Sequence, residues 1–327
     1  MISPFPTYRP SILSFEFQIT VTEESKSFTL PLTDVAPGHN FVVAWGDGSS
    51  NTITAYDDAD RIHNYANAGT YDIKITGLCS GFQFKYNGDR LKVDKVISWG
   101  NVEFRRLDFD GCQNLTTLPN QSGKLTLITT FEKIFKDGSS LLSIPSGIFD
   151  NNTIATSFSQ AFYYCNQITS IPIDLFKDNI AVTSFHSTFM GASLVSIPTD
   201  LFRYNTAVTT FKYTFRECSL ASVPTNLFKY NTLATNFKFT FESCTVLQLN
   251  ANIFWADGER DIRFLNQSIN FEGCFYRMVF TGTQGIAPDL WNCDFGEGTP
   301  TKTDCWDGAG NSLTSLSNYA SIPEAWL

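Results

Sequence analysis

Residues 185–210 read FHSTFMGASLVSIPTDLFRYNTAVTT, and residues 211–236 read FKYTFRECSLASVPTNLFKYNTLATN. The stretch from Phe158, FSQAFYYCNQITSIPIDLFKDNIAVTS, is the same unit with one more residue, another copy starts at Phe131, and a fading one starts at Phe237. A partial copy runs from Phe109 through Cys112, Leu115, Leu118 and Pro119, and the pattern last shows near Phe271 and Cys274. A unit of 26 or 27 residues is too small to bury its own apolar face, so neighbouring units must stack.

Each column of the repeat has a physical reading. Leu115, Leu141, Ile168, Leu194, Leu220 and Val246 are followed three residues later by Leu118, Ile144, Ile171, Ile197, Val223 and Leu249. That L-x-x-I spacing predicts a short strand of the leucine-rich-repeat kind, pairing in parallel with its neighbours. Pro119, Pro145, Pro172, Pro198 and Pro224 follow the second column and mark the strand end, because proline has no N–H for the ladder. Asp174, Asp200 and Asn226 precede LF and are placed to cap a brief helix on the convex side. The pairs Phe158/Phe162, Phe185/Phe189, Phe211/Phe215 and Phe237/Phe241 have helical spacing and put two rings on one face. Together these columns predict an α/β leucine-rich-repeat solenoid over residues 109–283.

Cys112, Cys165, Cys218, Cys244 and Cys274 read as one column, shared with Gly138 and Ala192. A position that accepts Cys, Gly or Ala calls for a small buried side chain. Only Cys218 and Cys244 fall in adjacent units in similar register, so the thiols are expected reduced, which fits folding in a cytoplasm.

The unit F-x-x-T-F-x-x-C-x-L-x-S-I-P-x-x-L-F-x-x-N-x-x-V-T resembles the BspA-like leucine-rich repeats of bacterial surface proteins and bacteriophage structural proteins. The closing SNYASIPEAW is similar to the terminus of phage-encoded members of that family. The resemblance implies attachment to a partner and leaves open which partner.

Before the repeats, residues 1–79 alternate apolar and polar positions between turn signals and predict an all-β sandwich. Trp45-Gly46-Asp47-Gly48, His63-x-Tyr65 and Gly69-Thr70-Tyr71 resemble the PKD-type immunoglobulin-like domain, although Ala68 stands where that family usually has proline. Read structurally, Asp47-Gly48 is a hairpin turn, Trp45 a core ring and Tyr71 a corner tyrosine. Residues 80–108 are expected to connect the parts and lay a first irregular coil, and residues 284–327 to form a polar C-terminal cap in which Cys293 and Cys305 are near enough in sequence to pair.

A net charge of -9, with 23 Lys and Arg that form no run or stripe, gives no footprint for nucleic acid. No apolar stretch has the length of a membrane span, and the opening MISPFPTYRPSILSFEF has neither a basic n-region nor an apolar h-region. The expectation is therefore a chain not exported by the general secretory route, or one whose leader has been removed. Asp57, Asp58 and Asp60 form the densest acidic cluster, without the spacing of an EF-hand loop. His186 occupies a slot filled by Ser159, Lys212 and Lys238 in other units and is expected to face solvent.

No nucleophile elbow, zinc-protease, phosphate-loop or C-x-x-C motif occurs, so neither catalysis nor a cofactor or metal is expected. Candidate ligand-binding residues are the variable aromatic and basic positions: Arg203, Tyr204, Lys229 and Tyr230 after LF, and Lys212 and Tyr213 beside the Phe pair. Lys177 and Asp178 hold the same slot one unit earlier. The reading that follows is a non-enzymatic bacteriophage virion component (tail, fibre or capsid surface), assembled in the host cytoplasm and binding other virion proteins or a host-surface protein or glycan, with a homo-oligomer allowed. The alternative is a bacterial cell-surface adhesin.

Overall fold

The computed structural model describes residues 13–256, 258–280, 285–306 and 316–327, with side chains at 245–248, 261 and 280 left aside. The expected membership of Val246 in the Leu column, the first residue of the cap at 284, the cap segment 307–315 and most of the opening segment lie outside the described residues or side chains.

The N-terminal region is antiparallel β. Strands β1 (Phe15–Val21), β2 (Ser27–Thr29), β3 (His39–Ala44), β4 (Ser50–Ile53), β5 (Ile62–Asn64), β6 (Gly69–Cys79), β7 (Gly81–Gln83), β8 (Val93–Ser98) and β9 (Arg106–Asp108) follow in order. They form a five-stranded sheet ordered β4-β3-β6-β1-β8, a β2–β5 ribbon and a parallel β7–β9 pair. In β1 the alternation is strict: Phe15, Phe17, Ile19 and Val21 are buried while the residues between them are not. Strand β8 lies in the stretch expected to be a connector, yet it is hydrogen-bonded to β1. Phe109 then touches both Phe82 and Trp99, so the first repeat packs directly on this sheet's core.

The α/β leucine-rich-repeat solenoid is corrected by the structure. No α-helix occurs among the described residues, and the regular structure is strand with short 3-10 turns. Among the described residues the Leu column forms regular parallel strands only at β10 (Ser219–Ser222), β11 (Thr245–Gln248) and β12 (Val279–Phe280), with an isolated parallel bridge from Lys95 to Thr117. The reason lies in the backbone. Between the two rings of each Phe pair sits a residue with positive φ: Lys133 (59°), Gln160 (57°), Ser187 (53°), Tyr213 (58°) and Phe239 (54°). A second follows four residues later at Asp137, Tyr164, Gly191, Glu217 and Ser243. Left-handed residues recurring at this interval cannot propagate a right-handed helix. The supposed caps are of the same kind: Asp174, Asp200 and Asn226 have φ of 57°, 60° and 60° and turn the chain instead of capping it.

These turns aim alternate amides along the stack. In the unit starting at Phe185, the N–H groups of Phe185, Ser187, Phe189 and Gly191 donate to the carbonyl of Thr210, at the junction with the next unit, and to those of Lys212, Thr214 and Arg216 within it, at 2.9–3.1 Å. The intervening amides of Thr188, Met190 and Ala192 bond three residues back within the unit. The pattern recurs at Phe131, Phe158, Phe211 and Phe237, always with N–H toward the C-terminal neighbour. Every amide of the segment thereby has a partner without strand or helix.

Side chains reinforce the register. The second ring of each pair forms a stacked file, Phe109–Phe135–Phe162–Phe189–Phe215–Phe241–Phe275, which ends on Trp306 at 4.1 Å. The first ring forms another, from Phe131 to Phe271, and the LF ring a third, from Phe149 to Phe254. Asn152, Asn179, Asn205 and Asn231, all fully buried, make a ladder beside them. Asn205 Nδ2 donates to the carbonyls of Phe176 (3.0 Å) and Asn179 (2.9 Å), and Asn231 repeats this on Phe202 and Asn205.

The cysteine column needs one revision. Cys112, Cys165, Cys218 and Cys244 hold one slot, with Cys165, Cys218 and Cys244 each donating to the carbonyl of the preceding unit's second Phe. Phe241 stacks on Phe275, so the residue three beyond the second ring of the last unit is Met278, which fills the slot. Cys274 precedes Phe275 and continues the column of Thr188, Thr214 and Thr240; Phe275 N–H bonds the carbonyl of Cys305, which is the next member. Cys293 Sγ instead donates to the Asp289 carbonyl, and no Cys293–Cys305 bridge is formed. Burial pushes the column thiols well up from the ordinary range, Cys244 to about 12, so they stay protonated and inert.

Two stability predictions follow from this backbone. Asn205→Ala removes two donors and strands two buried carbonyls, which should cost about 2–4 kcal/mol in urea unfolding. For Asp200, a left-handed position predicts that Asp200→Gly is stabilising by up to about 1 kcal/mol while Asp200→Val destabilises; a helix cap would instead lose roughly a few tenths of a kcal/mol with Gly, so the sign of the Gly variant separates the two.

Candidate functional site

In the sequence L-F-x-x-N, the Phe ring and the Asn side chain are both committed to ladders, so the two residues between them project outward. This places Lys177/Asp178, Arg203/Tyr204 and Lys229/Tyr230 in consecutive units along one edge of the stack. Arg203 and Tyr204 are exposed, and Lys229 and Tyr230 half-buried. The Arg203 guanidinium lies over the Tyr204 ring (5.7 Å) and over Tyr230 of the next unit (5.5 Å), and Lys229 Nζ lies over Tyr230 at 4.7 Å. At the N-terminal end of the edge, Lys177 pairs with Asp150 at 3.6 Å and Asp178 accepts from the Asn151 amide. The edge therefore changes from charge-paired to cationic and aromatic as it runs toward the C-terminus.

Lys212 and Tyr213 belong to a different part of the unit. Tyr213 is itself one of the left-handed residues, stacks flat on Phe239 (5.3 Å, 2°) and is flanked by Lys212 and Arg216 at 5.0 and 5.4 Å. His186 approaches the same ring at 5.8 Å and is half-buried instead of facing solvent. Burial and the Lys212 charge hold its pKa below the usual histidine value. Further along this surface Tyr164 hydroxyl reaches Glu217 at 3.0 Å, passing over Gly191, where a Cβ would stand 2.4 Å from the Tyr164 ring.

The cationic edge ends in a cavity that the column reading did not anticipate. Phe237 and Phe271 are 34 residues apart, against 26 from Phe211 to Phe237, so this unit carries an insertion of eight. The added chain forms a 3-10 turn at Arg260–Ile262 and folds alongside Lys229 and Tyr230. Between them lies a cavity of about 530 Å³ walled by Lys229, Tyr230, Glu259, Ile262, Arg263 and Gln267. Arg263 ends the asparagine ladder: Nη2 donates to the Asn231 carbonyl (2.9 Å) and Nε to that of Phe254 (3.1 Å), with the guanidinium 4.5 Å over Phe264. It is only 6% exposed, and among the described residues no carboxylate pairs with it. Its Nη1 and the Oε1 of Gln267 have no hydrogen-bond partner. Burial lowers the Arg263 pKa to about 10, which leaves it charged at neutral pH.

A serine, a histidine and an aspartate also meet in the N-terminal region. Asp47 accepts from Ser49 Oγ (2.6 Å) and faces His63 Nε2 (2.7 Å), while His63 stacks on Trp45 at 4.7 Å. In a nucleophilic relay the histidine stands between acid and serine, using one ring nitrogen for each. Here Asp47 is in the middle and the same Nε2 faces both partners, with Ser49 at 3.5 Å. The cluster instead locks the turn between β3 and β4, where Gly46 is required because a Cβ would meet the Asp72 carbonyl at 2.8 Å. Tyr71 hydroxyl donates back to the Asn67 carbonyl, as a corner tyrosine does. In the acidic cluster, Asp58 accepts from the amides of Thr54 and Asp60. No helix among the described residues is long and apolar enough to cross a membrane.

Partial burial pushes the Asp47 carboxyl up, but hydrogen bonds from Ser49 and His63 outweigh it and bring the pKa from 3.8 to about 2. A depressed carboxylate pKa gives stability that is present above its unfolded value and lost as pH falls through the folded value. Urea unfolding should therefore show stability declining between about pH 4 and pH 2, with Asp47→Asn both less stable at neutral pH and flatter across that window.

Compared with models of known protein families and with curated proteins, the chain matches none.

Proposed function

We propose that this protein is a non-enzymatic binding component of a bacteriophage virion, in a tail, fibre or capsid-surface position, that contacts a protein or glycan partner through one edge of its repeat stack. The observation that carries this reading is the row Arg203, Tyr204, Lys229 and Tyr230. Four variable residues stand side by side on a backbone fixed by inter-unit hydrogen bonds and ring ladders, as recognition surfaces require. The phage placement rests on the resemblance of the repeat unit and of the closing SNYASIPEAW, and on column thiols that sit reduced in the core. A bacterial surface adhesin would use the same edge and is the second reading.

The test is direct. Mass spectrometry of purified virions from the source genome should detect the chain, and antibody against it should decorate particles. Recovery of the chain only from bacterial cell envelopes would replace the phage reading by the adhesin one. A Tyr204→Ala/Tyr230→Ala double variant should keep the melting temperature and lose most partner binding; retained binding would move the interface off this edge.

A further inference from the structure

We infer that the cavity at the end of the asparagine ladder is a binding site for an acidic sugar, one saccharide unit carrying a carboxylate. The inference rests on the proposed binding role and names its ligand class. A buried guanidinium without a carboxylate partner is costly to keep, because the charge has lost water and gained no counter-ion. Among the described residues no carboxylate pairs with Arg263, and its side chain lines an open cavity. Lys229 brings a second cation to the same wall. The site is thus prepared for an anion.

It is also prepared for hydroxyls. Gln267 Oε1 is a buried acceptor with no donor, and Glu259 places a further acceptor on the wall. An anion with no hydroxyl, such as chloride or sulfate, would satisfy the cations and leave these acceptors unmet. A sugar acid offers both: its carboxylate to Arg263 and Lys229, its hydroxyls to Gln267, Glu259 and the Thr232 side of the cavity. Tyr230 and Ile262 supply apolar surface for the C–H face of a ring. The volume of about 530 Å³ falls within the range of small-ligand sites. The cationic, aromatic edge formed by Arg203, Tyr204 and Tyr230 leads to the opening, so a longer acidic glycan would continue along it.

The experiment uses the full chain with the methyl glycosides of glucuronic acid, galacturonic acid and N-acetylneuraminic acid, methyl glucoside as the neutral match, and inorganic phosphate. Saturation-transfer NMR and calorimetric titration should show saturable binding of at least one acidic glycoside and none of the glucoside at equal concentration. Lys229→Ala should weaken that binding about tenfold at low salt with an unchanged melting temperature. Arg263→Gln, which keeps a donor for the Asn231 carbonyl, should abolish it; if that variant does not fold, Lys229→Ala and Tyr230→Ala carry the test. Binding of none of the three acids, equal binding of the glucoside, or binding of phosphate alone would overturn the inference. Virion localisation is scored separately, so a chain found in virions that ignores acidic sugars refutes the ligand and leaves the virion role standing. A chain that binds them but is absent from virions does the reverse.

Discussion

The repeat stack depends on one constraint: in the segment spanning each Phe pair, alternate amide N–H groups must point along the stack toward the next unit. In these segments the chain meets this by inserting a left-handed residue at a fixed interval. For a non-glycine residue that conformation costs roughly 1–2 kcal/mol. Glycine fills it in few units; Lys133, Gln160, Tyr213 and Phe239 do not avoid the cost. The compensation is collective, because each unit gains four hydrogen bonds along the stack in this segment together with the ring contacts that the same geometry aligns. A single unit with these dihedrals and no neighbour would have unmet amides and exposed rings.

The ladders share a logic of termination. The second-ring file starts against Phe82 and Trp99 of the N-terminal β region and ends on Trp306, while the first-ring file ends near Trp326. At the C-terminal end both files thus close on a tryptophan, and at the N-terminal end the second-ring file packs on the core of the β region. The asparagine ladder cannot end in the same way, because its last carbonyl needs a donor. Arg263 supplies one and leaves part of a charged group without a partner. The candidate cavity is thus a by-product of how a polar ladder ends inside an apolar core.

What could be read in advance divides by the kind of signal. Columns of apolar, small or asparagine residues at a 26-residue interval reveal stacking, and the outward slots between Phe and Asn were recognisable as variable. Arg203, Tyr204, Lys229 and Tyr230 lie along one edge, while Lys212 and Tyr213, named beside the Phe pair, lie in a different part of the unit. The helix was misread because Phe pairs four apart satisfy a helical period equally well when a left-handed turn lies between them. The Asp before LF was misread because short polar residues suit caps and left-handed positions alike. Cys274 was misplaced because the insertion shifts the register, and a column label cannot follow a shift that only ring stacking reveals.

The amino-acid sequence alone determined that this protein is a stack of near-identical units with a buried aromatic interior, since repetition and hydrophobicity are properties of the chain. Only the tertiary structure decided that the units are built from turns instead of helices, because the left-handed Tyr213 is held where its N–H donates to the Lys238 carbonyl of the neighbouring unit. It also decided that Arg263 stands at the end of the asparagine ladder. Nothing local to Arg263 distinguishes it from any surface arginine; its burial follows from where an eight-residue insertion returns the chain, which is a long-range fact.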